Sequence, residues 1–516
     1  MKTISLLLLV LVSNTFLLFS QEAKRNSVWP IGFQPVVKFH FLNQFEIDTV
    51  ENYLKPVAPG CAILNAGCAI SDFDGKLLLF GNGYILYDSN GYGINNGVYI
   101  NCPKGNVLAD YYGGVSLFAQ SSIILPKKGN RYYVFSTGMS DSVANNYLNH
   151  SWSEFDVLSY CLVDMDSNNG QGKVIEKNRI LSEHQHYVNC AMSAVKHSNG
   201  KDWWLVKADC LQNRYQEFLV KEDTIMGPYY QNISTVGDFC TFPSQLYFSD
   251  DGTKMASSIY GDILNGPTSP FYYYNRVDLY DFDRCDGSIS YKQHYIVPYD
   301  TSTYANFDFK HGICFSPNGN LLYMINNYSI YQIDLQDTAV HNALFIHGID
   351  TLLAYFPRYD LAACAPDGKM YIGNWNGTRK YMSYIDKPNI KGLGCDFVAQ
   401  GVWQPYTNLL SPPNMPNYGL GADSSIVCWP LSSSEIGAVR SEMLVVYPNP
   451  AFTSLTIELT SYKNRVVPLE MFSMVGELVL KTEIQSQTNV QINISSFPKG
   501  VYVIRCGGAS EKVVVE

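Results

Sequence analysis

Apolar and polar positions along this chain alternate over short runs, and the runs come in pairs. An apolar run leads into an Asp-Gly or Asn-Gly turn, and a second apolar-aromatic run leads out. Asp74-Gly75 precedes KLLLFGNGYILYD, Asn199-Gly200 precedes KDWWLVKAD, and Asp251-Gly252 precedes TKMASSIY. Asn318-Gly319 precedes NLLYMINNYSIYQID, and Asp367-Gly368 precedes KMYIGNW. Lys128-Gly129-Asn130 before RYYVFST is a weaker sixth copy. Alternation of this length is the strand period, and the dipeptides supply the positive φ that a two-residue hairpin turn demands. CAISDFDG, YFSDDG, CFSPNG and CAPDG are variants of one template. The copies recur at about fifty to seventy residues, room for one four-stranded unit with variable outer loops. With no 3.6-residue period between them, the pattern predicts an all-β chain, a β-propeller of about seven blades. A right-handed β-solenoid fits less well, because its repeats are shorter and more regular. A seventh blade would combine Val36 to Leu42 with a strand near Ile426 to Trp429.

The two ends read differently from this middle. Met1-Lys2, the apolar stretch Leu6 to Val12 and Phe16 to Phe19, and the small residue Ser20 form a secretory signal over residues 1–20, with a mature start near Gln21. Asn14 and the short apolar reach argue against a membrane anchor, which needs about 20 apolar residues. No later segment is apolar for long enough to span a membrane as a helix. Residues 21–431 are assigned to the propeller, and the low-complexity SSSEIGAVRSEM within residues 432–443 reads as a linker. Residues 444–516 hold shorter alternating strands and read as a small β-sandwich.

Composition narrows the function classes. Only 16% of the 516 residues are charged and the net charge is −10. A phosphate-binding surface needs an excess of Lys and Arg, so nucleic acid is not an expected partner. The tail from Met443 has six basic and six acidic residues, so the net acidity belongs to the preceding domain. Thirteen cysteines in an exported chain permit disulfides, but an odd total leaves at least one thiol out. Several, such as Cys161 and Cys314, sit in apolar runs where a buried thiol is an ordinary core residue.

The tail opens with Val446-Tyr447-Pro448-Asn449-Pro450-Ala451 and passes through Phe472-Ser473-Met474-Val475-Gly476. It reaches Gly500-Val501-Tyr502-Val503-Ile504, and Lys512 leads a final strand. In this order these residues resemble the C-terminal sorting domain of type IX secretion cargo in Bacteroidetes. Ser473-Met474 departs from the more usual polar pair before the central glycine. The resemblance implies export through the periplasm to the cell surface or medium, with the secretion machinery as partner. It implies sorting-signal roles for Tyr447, Pro448, Asn449, Pro450, Gly476, Gly500, Val501, Tyr502 and Lys512. The middle resembles the propeller-like proteins that precede such tails, through Gly67-Cys68-Ala69-Ile70-Ser71-Asp72, Asp281-Phe282-Asp283-Arg284-Cys285 and Pro413-Asn414-Met415-Pro416-Asn417-Tyr418. That second likeness implies shape and no activity.

Candidate chemistry in the middle is sparse. Trp203 and Trp204 put indoles on opposite faces of a strand, where one could stack on a sugar or peptide and both could equally pack the core. Asp281, Asp283 and Asp286 gather carboxylates at one turn and are weak calcium candidates, since no Glu closes a twelve-residue loop. A solvated turn explains them as well. His184 and His186, two apart, would share one side of a strand but lack a third ligand. The Gly-x-Ser-x-Gly elbow, HExxH, the P-loop and GxGxxG are all absent. No cofactor or resident metal is expected. The expected function is non-catalytic binding of a glycan or peptide by the propeller. The alternative is a secreted hydrolase or lyase with its site in the central funnel.

Overall fold

A computed structural model describes residues 22–30, 36–42, 44–47, 67–101, 120–140, 142–143, 155–185, 187, 191–209, 214–232 and 245–263. It further describes 272–297, 311–337, 343–348, 359–410, 412–423, 444–459, 465–473, 478–485, 489–506 and 509–515. The proposed signal at 1–20, the strand near Ile426 to Trp429, the linker at 432–443, His186 and Gly476 lie outside these residues.

Apart from two short 3-10 turns, every named element is a strand. Five consecutive four-stranded antiparallel meanders run through residues 68–98, 122–182, 192–232, 246–297 and 311–348, here blades 2 to 6. Among the described residues blade 7 has three strands, within residues 359–410, and a sheet of three strands within residues 28–47 makes blade 1. The first strand of each blade lies beside the first strand of the next, in order: Val28–Pro30, Cys68–Ser71, Ser122–Lys127, Met192–Lys196, Leu246–Phe248, His311–Phe315 and Tyr359–Cys364. Trp29 meets Tyr371 edge-on at 5.9 Å, which brings blade 1 against blade 7 and closes the ring. Inner strands adjacent in sequence order around a closed ring define a β-propeller. Val36–Leu42 does join blade 1, between Val28–Pro30 and Gln44–Ile47.

Each blade is covered on both faces, so its middle strands are buried along their length rather than on alternate positions. Trp203–Asp209 of blade 4 is buried at all seven positions. Trp203 and Leu205 face blade 3 in a cluster with Leu125 and Tyr132, while Trp204 and Val206 face blade 5 beside Phe248 and Tyr280. The two-residue period thus divides one strand between two inter-blade cores.

All six glycines of the recurring turns have positive φ, from 67° to 80°, and each turn joins the first and second strands of blades 2 to 7. The turn differs from the expected two-residue form. Gly75, Gly200, Gly252, Gly319 and Gly368 each donate N–H to the carbonyl three residues back, and in these five only the glycine, not the Asp or Asn before it, is left-handed. That is a type I turn closed by a left-handed glycine. The Asx side chain caps the same turn from within: Oδ1 of Asn199, Asp251, Asn318 and Asp367 accepts the N–H two residues on, at 2.9–3.1 Å.

Residues 412–423 run along the ring axis. Asn414 donates through Nδ2 to the carbonyls of Ser122 and Met192, both at 3.0 Å, and through its backbone N–H to Gly67 at 2.7 Å. Tyr418 donates to the carbonyls of Ala69 and Ile124 at 3.2 and 2.7 Å, and meets Trp203 edge-on. Asn417 reaches the Asp250 carbonyl and Asp423 the Ser198 carbonyl, at the turn end of blades 5 and 4. Gln120 and Gln245, both buried, bridge further across: Gln120 pairs with both backbone groups of Leu246, and Gln245 bonds Ile313 and Ala362. Together these bonds tie the inner strands of blades 2 to 7 to one another.

Candidate functional site

Two regions concentrate features beyond packing. The first is the tail, where Leu444–Tyr447, Ser454–Leu459 and Asn489–Asn493 form one sheet. Arg465–Ser473, Leu478–Gln485, Gly500–Cys506 and Ala509–Val515 form the other. Leu455, Ile457, Leu469, Met471, Ile504 and Val513 are buried between the two. The loop Tyr447 to Pro450 is exposed, and Asn449 turns back from it onto the last strand. Its Oδ1 accepts the Val514 N–H at 2.9 Å and its Nδ2 donates to the Lys512 carbonyl at 2.8 Å. Gly500 and Val501 open the strand that pairs with this last one, Tyr502 is buried and donates to the Pro498 carbonyl, and Lys512 stays exposed.

The tail is also joined to the propeller. Val466 and Arg465 pair antiparallel with Tyr230 and Gln231 on the outer strand of blade 4. Arg214 of blade 4 ion-pairs with Glu483 at 3.3 Å, and one apolar cluster runs from Trp204 and Tyr229 to Leu469 and Met471. Strand addition to a sheet edge both binds a segment and hides the edge.

The second region is a pocket of about 700 Å³ on the turn face, among the hairpins of blades 2, 3 and 4 and the segment Glu22 to Arg25. Six basic residues line it: Arg25, Lys127, Lys128, Lys196, Lys201 and Lys221. Glu22, Asp72, Asp202 and Glu222 are the acidic ones. Arg25 lies 3.1 Å from Glu22 and 4.0 Å over the Phe73 ring, and Lys196 lies 3.7 Å from the same carboxylate. Burial pushes the Lys196 ammonium below its usual value, with Glu22 pulling it back up. Glu222 takes Lys128 at 2.9 Å.

The residues singled out from the sequence are spread over several environments. Trp203 lines the pocket but is only 2% exposed, and Lys196 sits 5.3 Å over its ring. Trp204 is buried against blade 5 and donates Nε1–H to the Arg284 carbonyl at 3.0 Å. Asp281 is exposed and paired with Lys292 at 3.1 Å, while Asp283 and Asp286 accept the N–H groups of Cys285 and Ser288 within their own turn. Among the described residues no three His, Cys, Asp or Glu side chains gather around one point. His184 is past the end of its strand in a left-handed bend, so the strand period does not apply to it. Cys68, Cys161, Cys314, Cys364, Cys395 and Cys506 are free and Cys285 is in a disulfide; burial pushes the Cys68 thiol up to about 12. Sequence reasoning missed the pocket, whose lysines are individually ordinary.

Residues 445–516 match the family model of the secretion system C-terminal sorting domain. No curated protein matches the chain. Solved structures similar to it include the Cps50 (Swd1) β-propeller domain of Myceliophteria thermophila, 10% identical, covering 66% of this chain and 87% of that one with a TM-score of 0.33. The α-L-arabinofuranosidase Arb93A of Fusarium graminearum is 7% identical, with 67% and 93% covered and a TM-score of 0.33. Likeness at this level carries no argument about activity. Among the described residues no helix is long and apolar enough to cross a membrane.

Proposed function

Starting from an exported chain whose residues 445–516 are a secretion-system sorting domain, we propose that the propeller is a non-catalytic recognition module displayed or released outside the cell. In this reading residues 1–20 carry the chain into the periplasm, residues 21–431 are the passenger, 432–443 the linker, and 444–516 the address read by the type IX machinery. The passenger holds its ligand, a glycan or peptide, at the turn-face pocket. One observation supports the choice: the turn-face pocket gathers ten charged side chains and an aromatic ring, whereas the inner-strand carbonyls of blades 2, 3 and 4 are taken up by Asn414 and Tyr418. Ligand sites commonly span about 300–1,000 Å³, and the pocket falls in that range. Its mixture of aromatic, cationic and turn groups is the composition of a recognition surface.

The test is a glycan and peptide array probed with the secreted protein, followed by incubation with each retained ligand. Retention without new reducing ends or peptide fragments supports recognition. Steady product release that vanishes when Glu22, Asp72, Asp202 or Glu222 is replaced would establish a hydrolase instead.

A further inference from the structure

We propose that the pocket among the hairpins of blades 2, 3 and 4 takes an acidic saccharide, its carboxylate or sulfate on the lysines and a sugar ring against Phe73. This deepens the recognition reading and rests on it.

The charge distribution favours an anion. The chain is acidic overall, yet six cations and four carboxylates converge here. The carboxylates are already engaged: Glu22 lies between Arg25 and Lys196, Glu222 holds Lys128, and Asp202 accepts the Asn199 amide at 2.8 Å. Arg25 is 4% exposed and its Nη1 has no hydrogen-bond partner, so the floor retains an unspent donor. These pairs also engage Arg25, Lys196 and Lys128, yet the lining keeps two more cations than carboxylates, and a concave site of net positive charge focuses field toward an anion.

The wall chemistry favours a sugar. Phe73 is 44% exposed, with Arg25 over its ring and its remaining surface open to the pocket. An aromatic surface beside turn oxygens such as those of Asp72 and Asn130 suits a ring bearing hydroxyls. A peptide would be expected to seek an unpaired strand edge, and the walls here are hairpin turns and inner strands already paired within their own blades.

The experiment titrates the full chain with matched ligands: oligogalacturonate against its carboxyl-reduced form, dextran sulfate against dextran, and poly-glutamate. We expect the acidic saccharides to bind and their neutral partners to bind about tenfold more weakly or not at all. Lys201→Gln with Lys221→Gln, on the pocket rim, should weaken the acidic saccharide by about tenfold. Lys387→Gln with Lys391→Gln, on blade 7, removes the same charge elsewhere and should leave it unchanged. Phe73→Ala should weaken saccharide and spare poly-glutamate. Equal binding of acidic and neutral partners, or indifference to the rim pair, overturns the acidic assignment and leaves recognition standing. Equal binding of poly-glutamate overturns the saccharide. Retention of no ligand at all overturns the recognition reading beneath both.

Discussion

Asn449 holds Val514 from the side: its Oδ1 accepts the Val514 N–H at 2.9 Å, and the same side chain also bonds the Lys512 carbonyl. An Asn in the exposed Tyr-Pro-Asn-Pro entry therefore fastens the end of the chain, and Ala451 N–H adds a bond to the Val514 carbonyl.

Replacing Asn449 by Ala leaves two backbone groups of the last strand without this partner, at a cost of about 1–2 kcal/mol. The tail should melt earlier with the propeller unchanged, and the variant should accumulate in the periplasm. Fractionation of cells reads this; normal surface levels of a variant shown to have a loosened tail would disconnect strand order from sorting.

Asn414→Ala removes two donors from the axis and should cost about 2–3 kcal/mol in urea unfolding. Asn414→Asp should cost more, since a carboxylate would face the carbonyls of Ser122 and Met192. An Asp variant as stable as the wild type would remove the axial role of residue 414.

Gly200 and Gly368 occupy equivalent turns with φ 71° and 79°. A Cβ on Gly200 would sit 2.6 Å from the Ala422 nitrogen, whereas one on Gly368 meets nothing within 4 Å. Gly368→Ala should therefore show the backbone cost alone, about 1 kcal/mol, and Gly200→Ala roughly 1–2 kcal/mol more. Equal losses in parallel melts would mean that residues 412–423 do not press on the blade 4 turn.

Burial, reinforced by the neighbouring Asp251 charge, raises the Asp250 carboxyl to about 6. A raised carboxyl favours the protonated folded state, so this group costs nothing below about pH 4 and destabilises increasingly as pH rises through about 6. Asp250→Asn should be more stable than wild type by ~3 kcal/mol at pH 7.5, with the difference nearly gone by about pH 4. The carbonyl that binds Asn417 is untouched by the change. A constant difference between the two proteins across that range would refute the assignment.

Limited proteolysis should cut first between Ser432 and Met443, yet the two fragments should co-elute, because Arg465 and Val466 pair with blade 4 and Glu483 meets Arg214. Glu483→Gln removes only this surface pair and leaves Arg214 on the buried Asp209, so it should cost about 0–1 kcal/mol and loosen the association slightly. Immediate separation of the fragments in gel filtration would show that the tail is tethered and not docked.

The blade repeat was legible because each turn needs a left-handed glycine, and glycine is the one residue whose identity reports φ. The turn type was not, since Asx capping and a primed turn use the same dipeptide. The tail was legible through Asn449, Tyr502 and their neighbours, which act over one short domain. The axial role of Asn414 and Tyr418 was hidden because their acceptors are backbone carbonyls of Ser122, Met192, Ala69 and Ile124, which carry no side-chain signature. Trp203 and Trp204 were readable as a two-faced pair, but which blades they face depends on ring closure. The pocket depends on it too, joining Glu22 to Lys221 across three sheets.

The axial segment also sets an order in time. A chain delivered from its N-terminus presents Trp29 long before Tyr371 exists to meet it, and the inner strands of blades 2 to 4 wait longer still for Asn414 and Tyr418. Long-range closures of this kind are the slow steps of folding, and open sheet ends are hazards until they occur. Residues 412–423 emerge just ahead of the sorting domain, so the last piece of the lock and the address arrive almost together. A product ended before residue 412 lacks both. Completeness and deliverability are thereby written into neighbouring stretches of polypeptide, and a message broken ahead of them yields a chain with neither its axial ties nor its address.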